Sequence, residues 1–200
     1  MLEVKDATIS VSGTVLVKNL SFIADDGKIT CITGPEGSGK SILLRTLMGF
    51  MPVDDGFVSV DGELLTVRSA PVFRRFICYL PQSINLLRNQ LYAPETSEAK
   101  PDDYEIWSET MPHAMEIPET KPLTTEEVFQ LASATLTSAT DKPILLADEP
   151  TLHLTADLAS QMLQLIKQQA EQGKCVLIAS RMPQVLSCAN KVIDLNRFKL

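Results

Sequence analysis

The first third of the chain alternates apolar and polar positions: Leu2 and Val4, Ile9 and Val11, Val15 and Val17, Leu20 and Phe22. A period of two predicts short strands with one buried face, antiparallel in style, and Asp25-Asp26-Gly27 then marks a turn. Lys28 to Thr33 continues as a strand. From Ser41 to Phe50 the period lengthens: Ile42, Leu43, Leu44, Leu47 and Met48 fall at helical spacing, and Gly49 and Pro52 are stop signals. Asp55-Gly56, Phe57 to Val60 and Asp61-Gly62 predict a hairpin, and Phe76 to Leu80 predicts a strand that stops at Pro81. Farther on, the pattern gives helices over Thr125 to Thr137 and Ala156 to Gln172, with buried strands over Ile144 to Ala147 and Cys175 to Ser180. Strands that alternate with helices in this way form a parallel sheet covered by helices.

Leu91 to Pro122 differs in kind. It holds five of the twelve prolines, the only tryptophan (Trp107), and eight acids against two bases, so most of the net charge of −7 sits there. We read a loop-rich insertion. Within it Trp107, Tyr104 and Ile106 form either a partner-docking patch or the local core of a small subdomain.

Composition narrows the classes. Hydrophobic residues are 44% and charged residues 22%, the mix of an ordinary globular protein, which excludes disorder throughout. The acidic balance argues against a nucleic-acid partner, because phosphate backbones reward basic surfaces. The charged start and the lack of any run approaching ~20 apolar residues predict a cytoplasmic chain. Cys31, Cys78, Cys175 and Cys188 are far apart and mostly lie in apolar runs, the placement of buried thiols rather than of disulfides or zinc ligands. His113 and His153 are expected to have surface or loop roles.

Gly34-Pro35-Glu36-Gly37-Ser38-Gly39-Lys40-Ser41 matches G-x-x-x-x-G-K-[ST], a pattern that chance produces in on the order of 1% of chains this long. It follows a predicted strand and opens a predicted helix, the context that phosphate binding requires. Glycines let backbone N–H groups converge on an anion, and the helix N-terminus adds partial positive charge. Lys40 is then placed for the β- and γ-phosphates of a nucleotide, ATP, and the Ser41 hydroxyl for Mg²⁺. Ile144-Leu145-Leu146-Ala147-Asp148-Glu149 supplies the second half of such a site: a buried strand whose end presents Asp148 to the metal and Glu149, a candidate general base, to a water.

Gly34 to Ser41, Tyr79-Leu80-Pro81-Gln82-Ser83 and Ile144 to Thr151, in that order, resemble the ATP-binding subunits of ABC transporters. The resemblance implies an α/β P-loop NTPase core with a parallel sheet and flanking helices, an N-terminal antiparallel β subdomain and a helical insertion. Applied to this chain, a single domain over 1–200 divides into an antiparallel part (1–30 and 54–70), a P-loop core (31–53, 71–90 and 138–200) and an insertion (91–137). It implies that Gln82 senses Mg²⁺ and the attacking water beside the groove where a membrane subunit docks. The partners it implies are an integral membrane permease and a second ATP-binding subunit, in a homodimer or a heterodimer, at the inner face of the cell membrane.

The chain also departs from the family pattern. The signature Leu-Ser-Gly-Gly-Gln is missing. Its nearest counterpart, Leu123-Thr124-Thr125-Glu126-Glu127, reads as a capping box that starts a helix. Arg181 stands where the family has a switch histidine; a guanidinium also binds phosphate, but is permanently charged. Leu152-His153-Leu154-Thr155 replaces the usual D-loop, with Thr155 expected to cap the next helix. No aromatic precedes Phe22 to stack on a base. Binding is therefore better supported than turnover. The readings are an ATPase subunit driving a permease, a hydrolysis-deficient module pairing with a more complete partner, and a soluble regulator of the same family.

Overall fold

The computed structural model describes residues 1–82 and 123–198. Expectations for Ser83, for the acidic insertion with Tyr104, Ile106 and Trp107, and for His113 lie outside the described residues.

The opening alternation builds two long strands, β1 (Leu2–Val11) and β2 (Thr14–Ala24), in place of four short ones. They pair antiparallel around Ser12-Gly13, where both residues have positive φ. The pattern looks fragmented because each strand changes the parity of its buried face. Leu2 and Val4 are buried before Asp6 (φ 49), Ala7 and Ile9 after it; Val17 is buried before Asn19 (φ 54), Leu20 and Phe22 after it. An irregularity of this sort slips the inward face by one residue without ending the strand, and the register shifts on both sides of Ala7.

β4 (Asp55–Val60) joins the other edge of β1, and β5 (Glu63–Leu64) closes a hairpin around Asp61-Gly62, giving the order β2-β1-β4-β5. Asp55-Gly56, read from sequence as turn residues, are the first two of β4. A side chain at Gly56 would meet the Lys5 carbonyl oxygen and the Asp6 carbonyl carbon at 2.3 and 2.5 Å, so glycine lets β4 pass the irregular part of β1.

The second sheet is parallel, ordered β6-β7-β8-β3-β9: β6 Ile77–Leu80, β7 Ile144–Asp148, β8 Cys175–Ala179, β3 Ile29–Thr33 and β9 Lys191–Asp194. Helices α1 (Lys40–Leu47), α2 (Ala70–Arg75), α3 (Thr125–Ser138), α4 (Ala156–Glu171) and α5 (Pro183–Cys188) surround it. β7 shows why its strands are apolar throughout. Ile144 and Leu146 pack with α1 and the antiparallel sheet, whereas Leu145 and Ala147 pack with Met162 and Ile166 of α4 and Leu136 of α3. α2, α5 and β9 add to the elements expected from sequence. Cys31, Cys78 and Cys175 are buried in strands and Cys188 is half-buried at the end of α5. Among the described residues no helix is long and apolar enough to cross a membrane.

α3 begins at the capping box. The Thr124 hydroxyl accepts from the Glu127 N–H at 3.3 Å, and the Glu127 carboxylate accepts from the Thr124 N–H at 2.7 Å. The Thr155 hydroxyl likewise accepts from the Leu158 N–H at the start of α4.

Candidate functional site

Parallel strands all end on one side of their sheet, and in open α/β sheets ligands sit beyond those carboxyl ends. Here β3 leads into Gly34, β7 ends at Asp148, and Ser180 follows β8. The side chains that sequence assigned to three separate motifs meet there. Glu36, Gly37, Ser38, Gly39, Lys40 and Ser41 line a cleft of about 230 Å³ with Gln82, Asp148, Glu149 and Arg181; Ile42 and Leu152 complete its wall. Gly34 and Pro35 are not part of that lining and instead turn their carbonyls to the Lys40 ammonium.

Gly34, Gly37 and Gly39 have φ of 151, 71 and 94°, a backbone path that side chains rarely follow. At Gly34 space forbids one as well: a Cβ would sit 2.6 Å from Ser38 Oγ and 3.1 Å from Ser38 Cβ. The loop therefore closes tightly on itself and delivers Lys40 as the first residue of α1. The Lys40 ammonium, 8% exposed, donates to the Gly34 and Pro35 carbonyls at 3.0 and 3.1 Å and lies 3.9 Å from Glu149 Oε1. A buried cation ringed by loop carbonyls and one carboxylate is positioned for an anion in the cleft.

Asp148 is 3% exposed, and its Oδ1 has no hydrogen-bond partner among the described residues. Burial holds its carboxyl above the ordinary value of 3.8; the adjacent Ser41 hydroxyl pulls the other way, Glu149 adds to the rise, and Lys40 and Arg45 oppose it. An unpartnered buried carboxylate oxygen beside a serine hydroxyl is a hard oxygen donor set, and it fits Mg²⁺. Tyr79 on the neighbouring strand is pushed up to about 12, mainly by burial and further by Asp148.

Glu149 is 8% exposed and has φ 46, an uncommon conformation outside glycine. Its N–H donates to the Ala179 carbonyl at 2.8 Å, and its Oε2 accepts from Ser180 Oγ at 2.8 Å. Sequence reasoning missed Ser180, since only the pairing of β7 with β8 brings it to Glu149. Arg181 reaches the mouth of the cleft, 3.6 Å from the Glu36 carboxylate, with both side chains largely exposed. Such a pair contributes little and yields readily to a stronger anion. Aliphatic Leu16, from the stretch that holds no aromatic before Phe22, borders the loop: a Cβ at Gly39 would lie 3.4 Å from its Cβ. His153 is exposed on the turn between β7 and α4.

Several known proteins resemble this chain. The ribose import ATP-binding protein RbsA of Bacillus cereus is 23% identical over 211 residues, covering 96% of this chain and 42% of that protein. The chain thus spans less than half the length of that relative. The ABC transporter ATP-binding protein YtrB of Bacillus subtilis is 28% identical over 206 residues, covering 96% of this chain and 68% of the other. A nucleotide-free ATP-binding cassette from an ABC transporter superposes with a TM-score of 0.72 at 17% identity, over 98% of this chain and 87% of that one, which establishes the shared fold. A family model described as ABC transporter matches residues 17–152, including the loop at Gly34, Gln82 and the β7 acids. With the sheet, the glycine-lined loop and the paired acids in the family's order, the chain belongs to the ABC transporter ATP-binding family.

Proposed function

We propose that this chain is the ATP-binding subunit of an ABC transporter, coupling ATP binding and hydrolysis to a membrane permease from the cytoplasmic face. The observation that carries the reading is the juxtaposition of a buried lysine in the glycine-lined loop with two buried acids at the end of β7. In this reading the N–H groups of Gly37, Gly39, Lys40 and Ser41 cradle the phosphates, Lys40 leaves its loop carbonyls for the β- and γ-phosphates, and Arg181 exchanges Glu36 for a terminal phosphate oxygen. Ser41, Asp148 and Gln82 hold Mg²⁺, which neutralises charge on the phosphates when bound. Glu149 accepts the proton of a water that attacks the γ-phosphorus, and ADP and phosphate leave. Solved relatives support a dimeric working state, among them a dimeric post-hydrolysis ATP-binding cassette bound to ADP and Pi. The permease partner is supported by relatives named for ribose and zinc import.

Mg·ATP binding and hydrolysis by the assembled complex test this directly. Glu149→Gln is expected to retain ATP and to abolish turnover; unchanged turnover would remove Glu149 from the mechanism.

The start of α3 favours a second reading. In the position of the missing signature, Glu126 and Glu127 occupy the first turn, and Thr124 is engaged in its capping box. Acids there oppose a partner's phosphates by repulsion. A slow or silent site would then make this chain the regulatory half of a heterodimer. Robust hydrolysis by an isolated homodimer would exclude that arrangement.

A further inference from the structure

Ser180 is fully buried, and its hydroxyl makes two bonds of fixed sense. The Met182 N–H donates to Ser180 Oγ at 3.1 Å, so Oγ serves as acceptor on that side. Its single proton is then directed to Glu149 Oε2, 2.8 Å away. The Ser180 backbone is itself pinned, with its N–H donating to the Ile32 carbonyl at 2.9 Å in β3. Glu149 needs such support. Its backbone lies at φ 46, and the Ala179 carbonyl fixes its N–H. The other carboxylate oxygen, Oε1, faces Lys40 at 3.9 Å, a cation that the phosphates would draw away. Among the described residues, Ser180 therefore supplies the one side-chain hydrogen bond to this carboxylate, and it does not depend on the nucleotide. Residues held in sparsely populated backbone conformations persist where the surroundings over-determine them, and such sites cluster at functional positions.

We infer that Ser180 is the positioning residue of Glu149: its hydroxyl, polarised by the Met182 N–H, holds the carboxylate in one rotamer with Oε1 open toward the cleft. The inference rests on the reading of Glu149 as the proton acceptor in ATP hydrolysis. It also gives the residue before Arg181 a defined task, linking the end of β8 to the acid at the end of β7.

Ser180→Ala, Ser180→Thr and Glu149→Gln would be compared with wild type in the assembled complex. Ser180→Ala is expected to lower kcat by about 10- to 100-fold while KM for ATP stays within about twofold, as for loss of orientation rather than of binding. Ser180→Thr, which restores the hydroxyl, is expected to recover most of the rate. A merely structural role would lower thermal stability without separating kcat from KM. The second readout needs no turnover: the ¹³Cδ resonance of Glu149, assigned by its loss in Glu149→Gln, is expected to move in Ser180→Ala and to return toward its wild-type position in Ser180→Thr. An unmoved resonance overturns the inference whether or not the complex hydrolyses ATP. Wild-type turnover that survives Glu149→Gln refutes the proton-acceptor reading instead, and the resonance alone then decides whether Ser180 holds the carboxylate.

Discussion

Asp148→Asn tests the cost of keeping the site ready for a cation. The carboxylate is 3% exposed with one oxygen unpartnered, so the folded protein carries an uncompensated desolvation cost. Leaving a buried acceptor unmade costs about 1–3 kcal/mol. Asparagine keeps the shape and removes the charge while leaving an amide in the same place, so we expect it to recover about 1 kcal/mol, or about 2–4 °C in Tm for a domain of this size. Mg·ATP acts in the opposite direction. At a concentration of about 100 times Kd it stabilises the wild type by about 2.7 kcal/mol, and a hundredfold weaker variant keeps only about 0.4 kcal/mol. The order of stability should invert: without ligand the variant melts above wild type, and with Mg·ATP about 3–5 °C below it. The pH dependence follows from the raised Asp148 carboxyl. A carboxyl whose native value lies above its unfolded value of 3.8 binds more protons when folded, so stability falls as pH rises through that window. The advantage of Asp148→Asn is therefore absent below about pH 4, grows as the native carboxyl ionises, and is complete once it has done so. Differential scanning fluorimetry over pH 4–8, with and without Mg·ATP, reads all three effects. A variant that melts below wild type without ligand at pH 7, or that keeps the full ligand-induced shift, would refute the reasoning.

Two other expectations concern the loop and the core. Gly34→Ala drives a methyl group into Ser38 Cβ and Oγ, and overpacking of this kind costs about 1–3 kcal/mol; Mg·ATP affinity should fall together with Tm, and an unaltered affinity would show that the loop can relax without cost. Burial pushes Cys31 up to about 12 and Cys175 up to about 11, and raises Cys78 and Cys188 as well, but Cys188 alone of the four is only half-buried, so a thiol reagent at pH 8 should modify Cys188 first and the other three only on unfolding; rapid loss of two or more thiols in the native protein would contradict this.

The parallel core was legible because its strands are buried on both faces: Ile144 to Ala147 is apolar at every position, and no surface element would be. The motif glycines were legible because a phosphate loop restricts residue type at fixed spacing. The N-terminal hairpin was harder. Asp6 and Asn19 reverse the buried parity within single strands, so a strict period of two divides each into pieces. α2 and α5 have six residues each, too few for helical periodicity to emerge, and both carry a proline in the first turn. Capping at Thr124 and Thr155 is local chemistry within three residues, so sequence could give it. The contacts of Ser180 with Glu149 and of Arg181 with Glu36 join residues that only the sheet order brings together, and no spacing rule reaches them.

In the proposed function, Lys40 and the loop it closes bind a nucleoside triphosphate with magnesium. Isothermal titration of the folded wild type and of Lys40→Ala with Mg·ATP measures it most directly. Wild type is expected to bind saturably and the variant to lose about 10- to 100-fold in affinity, the weight of one charge-assisted contact. Absence of binding by well-folded wild type, or equal affinity in Lys40→Ala, would contradict it.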